Sequence, residues 1–231
     1  MGINSTYPTG APTGNVYLDS LIWGGSWADG PHTTTTVTWT TGSGSLYYSG
    51  SRLWTNTWLD YEVKALESAF QQWDNVCNVN FTYVASCAQA NLVEFNVDAK
   101  NMSYATSSTT ALGMHECPDG SFISPLYGFY NWQGTGWSAT GLEQGGYGYN
   151  TLVHEIGQAL GLAHPFGGGS RPDATSFPGV ASAFGSYGQY GLNQTIWTVM
   201  SYNDGWKELP SPDPYYSDGY GNVATPTSPR N

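Results

Sequence analysis

One short run of residues, HEIGQALGLAHP, constrains the fold and chemistry of this 231-residue chain more than any other. It begins at His154, and Gln158 lies four residues later, so on a helix both side chains leave one face and can bind one metal ion. Glu155 can reach a water molecule on that metal, and Gly161 permits a sharp turn that brings His164 back to it. Three protein ligands with one open position are typical of catalytic zinc, so the run predicts a zinc site at a helix end.

The same run resembles the metzincin signature, His-Glu-x-x-His-x-x-Gly-x-x-His. The match falls on His154, Glu155, Gly161 and His164, and Pro165 follows the last histidine as in the serralysins. The resemblance implies a zinc metalloendopeptidase of the serralysin-like metzincin type. It also implies that Glu155 acts as general base and then as general acid while a peptide bond is hydrolysed.

A second motif downstream adds to the resemblance. Thr198–Tyr202 is similar to the Met-turn of the serralysins. In that family the methionine forms an apolar floor beneath zinc, a role that falls here on Met200. The tyrosine two residues later is an additional zinc ligand that swings away to stabilise the transition state, a role that falls on Tyr202. The resemblance extends over residues 19–205.

Gln158 departs from the signature, which has a histidine at this position. An amide oxygen can bind zinc, but it is neutral and weakly basic. Removing even a hydrogen-bond partner of a zinc ligand costs about 10–100-fold in metal affinity or activity, and a changed ligand should cost at least as much. Three interpretations stay open: an inactivating replacement in an active protease, a natural ligand in a weakened or retuned site, and a natural pseudo-protease.

Hydrophobic periodicity predicts two helices, a backing helix over Asp60–Val76 and an active-site helix over Asn150–Leu160. Asn150 or Thr151 is the expected N-cap of the second helix, and Gly161 is expected to end it. Alternating and β-rich segments predict three strands and an edge strand at Thr33–Thr41, Asn80–Val84, Leu92–Val97 and Leu112–Met114. The stretch Gly42–Gly50 is expected to be a loop.

The expected fold class is α+β with the zincin-like fold of the metzincins. A twisted mixed sheet, the backing helix and the active-site helix form an upper subdomain over residues 19–164, above a mostly irregular lower subdomain over residues 165–231. Together they are one catalytic domain, preceded by a flexible arm over residues 1–18. The chain lacks glycine- and aspartate-rich nonapeptides, so the calcium-repeat domain of the serralysins is not expected in it.

Composition narrows the expected partners. Six Lys and Arg against 17 Asp and Glu give a formal net charge of −11. Such a surface repels phosphate backbones and anionic lipid, so neither nucleic acid nor a membrane is an expected partner. Zn2+ is the expected cofactor, and Ca2+ is a second candidate because it takes carboxylate oxygens. The charged fraction of 10% is typical of secreted bacterial proteins, and a secreted monomer acting on protein or peptide substrates is expected.

Three features allow two interpretations each. His115 is either a replacement third ligand or an exposed loop residue on the cleft rim, and the rim is favoured. Cys77 and Cys87 flank a predicted strand and form either a disulfide or, with Cys117, free thiols. A group of aromatic residues either lines the substrate cleft or packs beneath a long loop: Tyr127, Phe129, Tyr130, Trp132 and Trp137.

Two functions follow for the whole chain. The first is a zinc metalloendopeptidase that cleaves extended protein substrates, weakened or inactivated by Gln158. The alternative is a non-catalytic pseudo-protease that uses the same scaffold as a peptide- or glycan-binding module. A binding module should keep its affinity for its partner after Glu155→Ala and should gain nothing from Gln158→His.

Overall fold

A computed structural model describes residues 7–8, 12–27, 34–119, 125–170 and 174–205. The strands in these ranges are β1 (Tyr7–Pro8), β2 (Gly25–Ser26), β3 (Thr35–Gly42), β4 (Gly44–Tyr48), β5 (Ser51–Thr55), β6 (Val79–Tyr83), β7 (Leu92–Val97), β8 (Gly113–His115) and β9 (Leu126–Asn131). The helices are α1 (Val16–Ser20), α2 (Asp60–Asp74), α3 (Ala99–Thr106) and α4 (Tyr147–Ala159).

A five-stranded mixed sheet organises the fold in the order β6-β3-β7-β9-β8. The first four strands of that order run parallel, and β8 pairs antiparallel with β9 at one edge. Every residue of β7 is buried, as expected for a parallel strand covered on both faces. The predicted α+β fold with a mixed sheet and an edge strand near residue 113 is confirmed.

Helices α2 and α4 cover one face of the sheet. Apolar residues recur every three or four positions along α2, and Leu66 and Phe70 are buried against Trp39 of β3. From α4, Leu152 and Ile156 enter the same cluster. This packing fixes α4, which carries the predicted metal ligands His154 and Gln158, against the sheet.

The other face is covered by elements that the sequence analysis missed. Strands β4 and β5 form an antiparallel hairpin, so the prediction of a loop over Gly42–Gly50 was wrong. The glycines and serines that suggested a loop lie among alternating residues whose inner members, such as Leu46 and Leu53, pack on the sheet. Helix α3 begins where the Asp98 carboxylate accepts the N–H of Asn101 at 2.7 Å, and it buries Met102.

Residues 165–205 form the described part of the lower half. Apart from a short 3-10 turn at Gln189–Gly191, they carry no helix or strand in the described ranges, in agreement with the predicted irregular subdomain. Residues 206–231 lie outside the described ranges. At the other terminus, α1 begins at Val16, within the range predicted as an arm, and Asn15 caps it. No helix of the described residues is long and apolar enough to cross a membrane.

Candidate active site

Helix α4 delivers the predicted site residues at its C-terminal end. It begins at Tyr147 with Gly146 as N-cap, so the predicted cap at Asn150 or Thr151 was wrong. The first turn consists of tyrosine and glycine, which carry no capping signal in the sequence. At the other end Gly161 has φ of +99°, and a Cβ there would collide with the carbonyl oxygen of Gly25, so the predicted turn requires glycine.

The turn brings three side chains of the motif together. Nε2 of His154 lies 3.1 Å from Nε2 of His164. The amide atom of Gln158 that faces them lies 2.9 Å from Nε2 of His164 and 3.4 Å from Nε2 of His154. Two ligands at about 2.0–2.1 Å from a tetrahedral zinc ion are separated by about 3.3 Å, so the three atoms have the spacing of one ligand triangle.

The amide orientation of Gln158 follows from its hydrogen-bond partners. The oxygen and nitrogen of this amide both find partners in one orientation. In it, the amide nitrogen donates to Oε2 of Glu155 at 3.1 Å and to the backbone carbonyl of His115 at 3.3 Å. The amide oxygen then lies 2.9 Å from Nε2 of His164. In this orientation the atom that points between the imidazoles is an oxygen, which can bind a metal ion.

Both histidines are neutral at physiological pH. Burial lowers the pKa of His154 to about 4, and its bond to Val199 opposes this only in part. Burial, together with the nearby His154, lowers the pKa of His164 to about 3. Nδ1 of His154 lies 2.7 Å from the carbonyl oxygen of Val199 and donates to it, so Nε2 of His154 keeps its lone pair. Unprotonated imidazole is the form that binds zinc.

Glu155 lies on the opposite side of the amide from the imidazoles. It is buried, and burial raises the pKa of its carboxyl group to about 8, with Glu94 adding to the shift and His115 opposing it. The space that Glu155 occupies depends on strand β8. A Cβ at Gly113 would come within 2.6 Å of Cγ and Oε1 of Glu155.

Met200 packs against α4, and the ring of Tyr202 lies beside those of both histidines. Met200 is completely buried, and its sulphur would be 3.0 Å from a Cβ at Gly157 of α4. The ring of Tyr202 lies 5.6 Å from that of His154 and 4.8 Å from that of His164, measured between centroids. Burial and the Glu155 carboxylate raise the pKa of the Tyr202 hydroxyl, so it is protonated at neutral pH.

The structure decides the three ambiguous features. His115 is 3% exposed at the end of β8, so the favoured prediction of an exposed loop residue was wrong. The antiparallel pairing of β8 with β9 places it inside the sheet, where its Nε2 faces Oε1 of Glu94. All three cysteines are free thiols. Most of the aromatic group packs internally, with Phe129 and Tyr130 fully buried and Trp137 5.9 Å from the ring of Trp58, whereas Trp132 is partly exposed.

Three contributors to the site escaped the sequence analysis: Glu94, Gly113 and the carbonyl of Val199. Of these, Glu94 left a signal, because it is the one charged residue in the mostly apolar strand β7. The described residues contain no group of three or more His, Cys, Asp and Glu side chains placed to hold a metal ion, since the third donor here is an amide. The expectation of a Ca2+ site therefore finds no support.

Comparisons with known proteins identify relatives of this chain. The curated relatives include serralysin of Photorhabdus luminescens, 26% identical over 138 residues, which cover 60% of this chain and 26% of the relative. Metalloprotease AprA of Pseudomonas entomophila is 32% identical over 108 residues, which cover 46% of this chain and 20% of the relative. The chain thus spans about a quarter of the length of these relatives. Among solved structures, myroilysin aligns with a TM-score of 0.37 at 15% identity, covering 58% of this chain and 52% of the other.

A family model decides the classification. The matrixin model of peptidase family M10 matches residues 39–170, which is more than half of the chain and includes most of the sheet, α4 and His164. The serralysin relatives cover much of the same region. The chain therefore belongs to the matrixin family of metalloproteases, and its described part is a serralysin-like metzincin catalytic domain.

Proposed function

We propose that this protein is a zinc-dependent metalloendopeptidase in which Gln158 is a working but weakened third ligand. One observation carries the proposal: donor atoms of His154, Gln158 and His164 lie within 3.4 Å of one another. When both rings carry their proton on Nδ1, as the bond to Val199 requires for His154, two Nε2 lone pairs face each other at 3.1 Å and no hydrogen bond joins them. A cation between them supplies the missing partner.

The donor set fits zinc better than other common metals. Imidazole nitrogen and amide oxygen are accepted by zinc, whereas calcium and magnesium prefer oxygen ligands throughout. Zinc held by these residues acts as a Lewis acid toward a peptide carbonyl and acidifies a water molecule. Replacing imidazole by an amide lowers the affinity of the site while keeping its geometry.

The remaining steps depend on side chains of this chain. Glu155 takes the proton of the attacking water and returns it to the leaving amine. Tyr202, whose ring lies 4.8 Å from that of His164, donates its hydroxyl proton to the oxyanion of the transition state. Met200 is buried against α4, the helix that carries His154.

An extended peptide is the substrate class that suits the cleft. Strand β8 is the edge of the five-stranded sheet, and it runs directly beside Glu155. Backbone groups on a free edge can pair with a substrate strand, which aligns a peptide bond with the catalytic residues. Protein or peptide substrates also accord with the family. We further propose that the protein is a monomer that acts outside the cell, which can be tested by cell fractionation and light scattering.

The direct test combines bound zinc with casein hydrolysis for three proteins: the parent chain, Gln158→His and Glu155→Gln. We expect zinc in all three, weak activity in the parent, at least about tenfold more in Gln158→His, and none in Glu155→Gln. Activity found only in Gln158→His would mean that the amide abolishes catalysis. Zinc-free, inert protein in both the parent and Gln158→His would contradict the proposal. That result would favour the pseudo-protease that binds peptides or glycans, which the glutamine alone supports.

A further inference from the structure

Three residues on neighbouring strands form a row across the sheet beneath α4. Gly128 of β9 is the register partner of Glu94 on β7 and of His115 on β8. A Cβ at Gly128 would collide with Oε2 of Glu94 and would come within 2.6 Å of Cδ2 of His115. The glycine therefore leaves the space in which the two side chains meet, with Oε1 of Glu94 3.3 Å from Nε2 of His115.

Burying Glu94 and His115 in the interior of the sheet costs free energy. Both side chains are fully buried, and Oε2 of Glu94 lacks a partner in good hydrogen-bonding geometry among the described residues, although the buried hydroxyl of Tyr130 lies near the carboxylate. A buried ion pair of this kind usually stabilises a fold no better than well-packed apolar residues would. Stability of the sheet alone therefore does not explain its presence, and its neighbours indicate another role.

The pair holds one end of the edge strand in place. Nδ1 of His115 lies 2.7 Å from the carbonyl oxygen of Glu116, so the imidazole is fixed at both nitrogens. The backbone N–H of Glu116 in turn donates to the carbonyl of Tyr127 at 3.0 Å. The backbone carbonyl of His115 is thereby held 3.3 Å from the amide nitrogen of Gln158.

An amide ligand depends on a neighbour that fixes its orientation more than an imidazole ligand does. The two ends of the amide have nearly the same shape, but only the oxygen can bind a metal ion. A half-turn of the group would present the nitrogen and its hydrogens to His154 and His164. A carbonyl acceptor fixed behind Gln158, together with Glu155, selects the orientation with the oxygen in front.

We propose that Glu94 and His115 are positioning residues that orient Gln158 for zinc through the backbone carbonyl of His115. The inference rests on the proposed function, because it concerns how the third ligand of the zinc site is presented. It predicts that zinc affinity depends strongly on the two residues when residue 158 is glutamine. The dependence should be much weaker when residue 158 is histidine, because the ring nitrogen binds zinc more strongly than an amide oxygen does.

The test measures zinc affinity by chelator competition in four proteins: the parent, Glu94→Gln, Gln158→His and the double variant. We expect Glu94→Gln to weaken zinc binding at least about tenfold in the parent and less than about threefold in the Gln158→His background. Asn96→Ala serves as the matched control. It removes another buried polar group from β7, one that donates to Glu62, and should leave zinc affinity unchanged.

A purely structural role gives a different result. Glu94→Gln would then lower the midpoint of urea unfolding while zinc affinity stayed the same. Alternatively, it would lower zinc affinity by the same factor in the parent and in the Gln158→His background. Either outcome overturns the inference. Should Glu94→Gln fail to fold, Glu94→Asp replaces it, because the shorter side chain withdraws the carboxylate from His115. Zinc-free protein in both the parent and Gln158→His would instead mean that the proposed function itself has failed.

Discussion

Nδ1 of His154 lies 2.7 Å from the backbone carbonyl oxygen of Val199, and this bond joins the active-site helix to the Met-turn. The hydrogen bond fixes the tautomer and the ring plane of His154, which leaves Nε2 directed at the proposed metal position. The carbonyl is in turn held by the next residue, because Met200 is completely buried beneath α4. The orientation of this ligand therefore depends on the packing of a side chain that touches no substrate.

Truncating the side chain of Met200 should lower both the stability of the fold and the affinity for zinc. We expect Met200→Ala to lower the free energy of unfolding by about 2–5 kcal/mol, because it leaves a cavity beneath the helix. As the turn relaxes, the Val199 carbonyl moves from His154, and zinc affinity should fall. Met200→Leu keeps the volume and should cost less than about 1.5 kcal/mol with little change in zinc binding. Urea unfolding and chelator competition measure the two effects, and unchanged zinc affinity in Met200→Ala would show that the turn does not orient His154.

A second prediction concerns the strand that faces the general base. Because a Cβ at Gly113 would come within 2.6 Å of Glu155, Gly113→Ala should displace the carboxylate. We expect kcat for a peptide substrate to fall about 100-fold while bound zinc is retained, since small misplacements of catalytic groups have effects of this size. Gly167→Ala is the matched control, because its Cβ would meet His164 no closer than 3.7 Å. Equal activity in both variants would mean that β8 does not position Glu155.

Much of this arrangement could be predicted from the sequence. The spacing from His154 to His164 required a helix, a turn at a glycine and a return of the last ligand, and the structure contains all three. Periodicity also located α2 and the buried strand β7. These features depend on local geometry, so a single sequence carries them.

Other parts could not be predicted because they depend on contacts between distant residues. The hairpin of β4 and β5 contains glycine and serine, and only its packing on the sheet makes it regular structure. His115 looked like a loop residue until its register with Gly128 placed it beside Glu94. The amide orientation of Gln158 likewise depends on a backbone carbonyl far away in the chain.

The three free thiols should differ in reactivity. Burial raises the pKa of Cys117 to about 12, and the carboxylates of Glu155 and Glu116 add to the shift, whereas Cys87 is exposed. At pH 8 we expect iodoacetamide to modify Cys87 first and Cys117 at least about 100-fold more slowly, because only the thiolate reacts. Since the pH stays below the raised pKa, the rate at Cys117 should rise about tenfold per pH unit up to pH 9.5.

Peptide mapping by mass spectrometry follows each thiol separately. Protein unfolded in urea provides the control, in which Cys77, Cys87 and Cys117 should all react within the same period. Rapid modification of Cys117 in the folded protein at pH 8 would contradict the burial described for it. A disulfide between Cys77 and Cys87 would appear as two thiols that stay unmodified even in urea until a reductant is added.

The last prediction separates two roles for Tyr202, whose ring lies 4.8 Å from that of His164. Tyr202→Phe keeps the ring and removes only the hydroxyl. If the hydroxyl acts on the oxyanion, kcat should fall about 100–1,000-fold while KM changes little, because the lost contact exists only in the transition state. We expect this result, with zinc affinity within about threefold of the starting protein, in the Gln158→His background where activity is expected to be highest. A parallel loss of zinc affinity would instead identify the Tyr202 oxygen as a ligand of the resting site, and unchanged kcat would remove it from the mechanism.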